Sequence, residues 1–279
     1  MEMTANQAYD FLCVKMEGHY DARESSIIAR YLIEDLFSKS FHSDELLNQS
    51  EVDVLENTAL RLQKNEPWQY IGGVADFYGL KFNVNPSVLI PRPETEELAY
   101  LAIDIIKKYN ISSVMDIGTG SGILPITIAK KAAIREVYGL DVSVGALETA
   151  KSNANLHEVQ IQWIHSDILD RNLWSKLPKV EIIVSNPPYI SRDEKVEMQA
   201  NVLDYEPELA LFVQNSPLEF YDAISDFVIL FQDSGCKLLV EINEKYGKEV
   251  SKLFMDKGLK NIILLQDLQG KDRIVGAEK

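Results

Sequence analysis

The chain has 279 residues, 46% of them hydrophobic and 25% charged, enough for one large globular domain and a smaller one. No apolar run approaches the roughly 18–20 residues that span a bilayer, and residues 1–10 lack the basic cluster and apolar core of a signal peptide, so the two distant cysteines, Cys13 and Cys236, suit reduced thiols in the cytoplasm. With 28 basic residues against 43 acidic, a net charge of −15 and no basic run longer than a pair, a long nucleic-acid duplex is a poor partner and a basic protein a better one.

The first seventy or so residues read as helices. Tyr9, Leu12, Cys13 and Met16 recur at helical spacing, and Ile27, Ile28, Tyr31, Leu32 and Phe37 form a second apolar face. Asp21 and Glu24 before it have the spacing of a capping box. A third pattern through Val52, Leu55, Ala59 and Leu62 stops at Asn65-Glu66-Pro67, where proline forbids continuation. Such a module either packs as a core or recognises a substrate.

Past Gly72-Gly73 the style changes. Tyr78, Leu80, Phe82 and Val84 alternate, which predicts a strand over 76–85, paired as a hairpin with 87–90. Pro91-Arg92-Pro93 ends it, and Glu94-Thr95-Glu96-Glu97 opens a helix with acids in its first turn. From Ile111 onward strand and helix patterns alternate, with strands expected at 113–116, 136–141, 160–165, 180–185, 237–242, 262–267 and 273–277. That alternation is the mark of an α/β fold with a parallel, doubly wound sheet.

The run Asp116-Ile117-Gly118-Thr119-Gly120-Ser121-Gly122 carries an apolar strand into three alternating glycines and then an apolar helix. Glycines allow a tight turn and close approach to a ligand, and the following helix offers free N–H groups. A dinucleotide fingerprint needs glycine where Ile123 stands, a P-loop needs Gly-Lys-Ser/Thr, and a nucleophile elbow needs glycine where Thr119 stands. S-adenosylmethionine has an ammonium and a sulfonium but no phosphate, so Asp116 beside the loop suits it and would repel a pyrophosphate. Asp141, ending the next strand, has the spacing of a ribose-binding carboxylate. Asp167 either meets the adenine amino group or caps a turn through Asp170.

The strand ending at Ser185 delivers Asn186-Pro187-Pro188-Tyr189 at its carboxyl end, where ligands of doubly wound sheets bind. The prolines stiffen the turn and remove two backbone donors. An Asn oxygen and a proline carbonyl can accept both hydrogens of an NH2 group, while Tyr189 offers an aromatic face to the planar group carrying it. Two such acceptors raise electron density on a delocalised nitrogen and aim its lone pair at the methyl group, so orientation and fixed dipoles drive an in-line transfer. His19, His42, His157 and His165 have no metal-ligand spacing, and no metal site is expected.

These residues, with Tyr20–Glu24, Glu66–Gly73, Ile90–Glu96, Asp141-Val142-Ser143 and Tyr205-Glu206-Pro207, resemble the release factor glutamine methyltransferases of the HemK/PrmC family over nearly the whole chain. The resemblance implies a helical substrate-recognition domain over 1–73, a β-hairpin linker over 74–90 and a class I, Rossmann-like S-adenosylmethionine-dependent methyltransferase domain over 91–279, with the last strand antiparallel. It implies methylation of N5 of the glutamine in the Gly-Gly-Gln loop of class I peptide chain release factors, with S-adenosylhomocysteine as the second product. Gly118, Thr119, Gly120, Ser121, Gly122, Asp141, Asp167, Ile168 and Asn186 would hold the cofactor. Asn186, Pro187, Pro188 and Tyr189 would receive the glutamine, with Asn186, Pro187 and Tyr189 carrying the catalysis. Ile168 stands where some relatives place an aromatic against the adenine, and Arg92 is expected near the pocket. The enzyme is expected to be a monomer with neither membrane nor direct nucleic-acid contact. A methyltransferase acting on adenine N6 or guanine N2 would use the same turn, since an exocyclic amine presents the same two hydrogens. A binding module without catalysis would have no need of it.

Overall fold

The computed structural model describes residues 3–198 and 200–279, with side-chain surroundings for all of them except 196, 197 and 200. Two compact units result, one of the residues up to Val74 with Met198–Tyr205, the other of Ala75–Glu197 with Glu206–Lys279.

In the first unit, β1 (Met3–Thr4) leads into α1 (Ala5–Lys15) and pairs antiparallel with β2 (Leu46–Leu47); α2 (Ala22–Phe37), α3 (Gln49–Leu62) and the short α4 (Trp68–Gly72) complete it. The predicted apolar faces are the ones buried: Leu12, Met16, Ile28, Leu32, Leu55 and Leu62 meet in one core. Asp21 caps α2 by accepting the Glu24 N–H at 2.8 Å, which is half of the expected capping box. Reciprocal boxes stand instead at Thr4 and Gln7, at the start of α1, and at Asn48 and Glu51, at the start of α3. Helix α3 stops at Leu62 and Asn65 turns left-handed (φ 60°), ahead of the proline. The turn of helix at α4 carries Trp68, whose ring stacks on Tyr31 at 5.2 Å.

Next comes a hairpin, β3 (Val74–Phe77) and β4 (Leu80–Asn83), which belongs to the second unit from Ala75 onward. The alternation read as one strand over 76–85 therefore folds back on itself, and 87–90 is not its partner. Tyr78 and Gly79 take φ of 54° and 72°, the left-handed pair that a two-residue hairpin turn requires. Alternation continues across so short a turn, so the pattern does not reveal it.

There follow α5 (Pro93–Tyr109), β5 (Ser113–Ile117), α6 (Ile123–Lys131), β6 (Glu136–Asp141), α7 (Val144–Leu156), β7 (Gln162–His165), β8 (Ile182–Ser185), α8 (Ala200–Tyr205, in the first unit), α9 (Glu208–Leu211), α10 (Glu219–Phe231), β9 (Lys237–Glu241), α11 (Gly247–Asp256), β10 (Lys260–Gln266) and β11 (Asp272–Glu278). One seven-stranded sheet runs β10-β11-β9-β8-β5-β6-β7, parallel except for β11, which is antiparallel to both neighbours. Its central strands are buried on both faces, which is why they read as unbroken apolar runs. On β5, Met115 and Ile117 face the layer of Phe227 and Phe254, from α10 and α11, while Val114 faces Leu98 and Leu124, from α5 and α6. The chain builds outward from β5 through β6 and β7, then crosses to β8 on the other side. The crevice at that reversal is where open α/β sheets take their ligands.

Candidate active site

A cleft opens over the carboxyl ends of β5, β6 and β8, and Gly118, Thr119, Gly120, Ser121, Asp141, Asp167, Ile168, Asn186, Pro187 and Pro188 all line it. The sequence-predicted residues are thereby brought together, with two exceptions. Gly122 lies outside the wall with φ 82°, where an added Cβ would come within 3.0 Å of Ile126 and 3.1 Å of Trp163. It is a packing glycine. Tyr189 does not line the cleft either; half-buried behind the turn, it packs on the apolar layer beneath the sheet, and burial pushes its phenol well above the usual range.

The glycine loop is latched to the neighbouring strand. Gly118 and Thr119 donate N–H groups to the Leu140 carbonyl at 2.8 and 3.0 Å, and Gly120 donates to Asp141 Oδ2 at 2.8 Å. Asp141 Oδ1 accepts the Ser143 N–H at 2.8 Å, so both its oxygens are fixed in direction while lone pairs stay open to the cleft. Burial raises its pKa, tempered by those N–H groups. Gly118 (φ 76°) and Gly120 (φ 53°) have nothing within 4 Å of where a Cβ would stand, so the cradle's floor is open space kept clear by the lack of side chains.

Asp116 lies beneath this floor, 1% exposed, and neither of its oxygens has a hydrogen-bond partner among the described residues; nor has Thr119 Oγ1 or Ser166 Oγ. Burial pushes Asp116 up to about 7, with the Thr119 hydroxyl pulling down and the charge of Asp141 pushing further up. Unpaired buried polar atoms cost free energy, and a cluster of them around a cleft marks a place for a polar or cationic ligand. An ammonium beside Asp116 and ribose hydroxyls on Asp141 fit this donor and acceptor set. Asp167 does what its second reading anticipates, accepting the Leu169 N–H at 2.8 Å within a turn closed by Asp170 N–H to its carbonyl, while it and the buried Ile168 remain in the cleft wall.

The Asn186 turn is held from below. Ser185 donates its hydroxyl to the Ile117 carbonyl at 2.7 Å, tying the end of β8 to the end of β5. Asn186 Nδ2 donates to Thr95 Oγ1 at 3.0 Å, and Thr95 Oγ1 donates to Glu241 Oε2 at 2.7 Å. With Nδ2 turned inward, Oδ1 lies on the opposite side of the amide, available as an acceptor. Sequence reading missed Thr95 and Glu241, and also Asn153, fully buried on α7, which donates to the Ser121 carbonyl at 2.9 Å and the Asn83 carbonyl at 3.0 Å while accepting the Asn83 N–H at 2.7 Å. A polar residue on the apolar face of α7 was the one signal available. Arg92 lines the cleft and pairs with Glu206 at 2.6 Å; the other Glu206 oxygen accepts the Ile90 N–H at 3.2 Å. No group of three His, Cys, Asp or Glu among the described residues is arranged to hold a metal, and no described helix is long and apolar enough to cross a membrane.

Residues 99–209 match the Methyltransferase small domain family. Among solved structures, the Thermus thermophilus 16S rRNA N2 G1207 methyltransferase, in complex with AdoMet and guanosine, superposes with a TM-score of 0.53 at 19% identity, covering 74% of this chain and 49% of that one, a likeness of fold. Curated relatives are much nearer in sequence. The release factor glutamine methyltransferase of Bacteroides thetaiotaomicron is 41% identical over 85% of this chain and 84% of its own length. That of Lactococcus lactis is 39% identical over 84% and 85%. Identity of that depth across most of both chains, on this fold, makes the chain a member of the release factor glutamine methyltransferase family.

Proposed function

We infer that this S-adenosylmethionine-dependent enzyme methylates the side-chain amide nitrogen, N5, of the glutamine in the Gly-Gly-Gln loop of class I peptide chain release factors. The observation that carries the chemistry is the orientation of Asn186, whose Nδ2 is committed to Thr95 so that Oδ1 is left to accept. The bound cofactor supplies a methyl group already activated on a sulfonium. Gly118, Gly120 and the backbone of Thr119 and Ser121 cradle it, and Gly122 supports that loop from behind. Asp141 would accept from the ribose hydroxyls, Asp116 and the Thr119 hydroxyl would serve the ammonium end, and Asp167 and Ile168 would wall the adenine end.

On the substrate side, Asn186 Oδ1 and the Pro187 carbonyl each accept one hydrogen of the glutamine amide. Pro188 walls the planar amide, and the half-buried Tyr189, packed on the apolar layer of the sheet, completes the turn that receives it. These contacts hold the nitrogen lone pair in line with the methyl group that the cofactor would supply, its sulfur leaving as the neutral thioether of S-adenosylhomocysteine, and one N–H proton would pass to solvent. Neither covalent nucleophile nor metal is required for this step; its rate comes from position and fixed dipoles. The enzyme is further read as a cytoplasmic monomer, and as one without direct nucleic-acid contact, the last of which the net charge of −15 supports.

The decisive assay offers labelled S-adenosylmethionine with purified release factor, ribosomal RNA and DNA side by side, followed by mass spectrometry of the Gly-Gly-Gln peptide. A methyl group on that glutamine is expected. Label in nucleic acid alone overturns the reading.

A further inference from the structure

We propose that Thr95 and Glu241 are positioning residues that set the polarity of the Asn186 amide, holding its oxygen rather than its nitrogen toward the substrate. The proposal deepens the reading above and rests on it.

Three remote stretches of sequence meet here. Strands β8 and β9 run parallel with Ser185 opposite Val240, so the next residue of each, Asn186 and Glu241, emerge side by side at the carboxyl edge of the sheet. Thr95, in the first turn of α5, lies between them in the hydrogen-bond chain and is 91 residues from Asn186 and 146 from Glu241 in sequence. Thr95 and Glu241 are each 1% exposed.

The chain of bonds has one direction. Above pH about 7, where Glu241 is ionised, its carboxylate only accepts, so it takes the Thr95 proton. The Thr95 oxygen has then only lone pairs to offer its other neighbour and must accept from Asn186, which selects Nδ2 for that side. This matters because an asparagine amide is nearly symmetric in shape. Packing alone barely distinguishes the two flips, whereas the chemistry distinguishes them completely. One presents an acceptor to the incoming NH2, the other presents a second NH2 and repels it. Arg273 near Glu241 is committed to Asp267 at 3.1 Å and to the Ile242 carbonyl at 3.3 Å, and so does not compete for the Thr95 bond. A buried acid whose bonded partner is a hydroxyl rather than a base is costly for stability alone. It is intelligible as a fixed dipole aimed at a reacting group.

The test compares Thr95→Val, which keeps the shape and removes the hydroxyl, with Thr95→Ser, which keeps the hydroxyl. Steady-state methylation of release factor and calorimetric titration of S-adenosylmethionine are run on both variants and on the wild type. Thr95→Val is expected to lower kcat about 10–100-fold, the cost of a misdirected group at the reaction centre. KM for release factor and the cofactor Kd should each stay within about threefold, because a single amide contact is a small part of either binding surface while it acts directly on the reacting nitrogen. Thr95→Ser should recover kcat to within about threefold of wild type. An unchanged kcat in Thr95→Val, or a Thr95→Ser variant as slow as Thr95→Val, overturns the proposal, as does a cofactor Kd weakened in step with kcat. An inactive wild type would instead overturn the substrate assignment, so the two failures are told apart.

Discussion

At the scale of single residues, the cleft divides between groups whose hydrogen bonds are complete and groups left waiting. Asn186 has its nitrogen engaged by Thr95 and its oxygen left to accept, so Asn186→Ala should lower turnover by at least about 100-fold while cofactor binding remains measurable; near-wild-type rates in a radiolabel assay would remove it from the mechanism. Asp141 is directed by two backbone N–H groups from Gly120 and Ser143. Its replacement by Ala should weaken S-adenosylmethionine binding by about 1.5–3 kcal/mol, the range for hydrogen bonds to a charge. An unaltered Kd in calorimetry would move the ribose elsewhere. Both residues were legible in the sequence because each follows an apolar strand at a spacing that the ligand dictates. Thr95 and Glu241 were not. One looked like an ordinary first-turn threonine and the other like the charged end of a strand, and only the pairing of β8 with β9 makes them neighbours of Asn186.

At the scale of elements, the alternating pattern located every strand of the large sheet to within two residues, since buried parallel strands and amphipathic helices differ in both period and length. The hairpin was misread because a two-residue turn leaves alternation undisturbed, and α4 went unnoticed because five residues are too few to show a period. Equally invisible was the way the hairpin is fastened to the glycine loop. Asn153 binds the Asn83 backbone from both sides and the Ser121 carbonyl besides, so one buried side chain joins β4, α6's leading loop and α7. Asn153→Ala leaves those groups unpaired in the interior and should destabilise the protein by about 1–3 kcal/mol, read as a lower urea midpoint. It should also weaken cofactor binding, because the loop loses its rear anchor; an intact midpoint would mean that the hairpin is held by its apolar contacts alone.

At the scale of the whole molecule, two carboxyl groups are buried against their own charge. Asp116 and Glu241 are both pushed up to about 7 by desolvation. In the unfolded chain such groups titrate near 4. Between these values the native state holds protons that the unfolded state has lost, so the contribution of these two groups to stability without cofactor falls as pH rises from about 4 to about 7 and is then level. Asp116→Asn removes its share of that slope. The variant should gain more in urea midpoint over wild type at pH 8 than at pH 6, while binding S-adenosylmethionine less tightly. A gain of equal size at both pH values would show that Asp116 is not the group titrating. The acid beneath the loop is therefore a cost to the empty protein and an asset only when a cation is near it.

The chain leaves the second unit after Glu197 and comes back at Glu206, and it is there that Arg92 and the Ile90 backbone take hold of the returning strand of chain. The acid that closes the excursion is also the acid that pins the Arg92 guanidinium in the cleft wall. The seam where the chain re-enters its unit is therefore also masonry of the site, and a change of side chain at Glu206 would be felt in both.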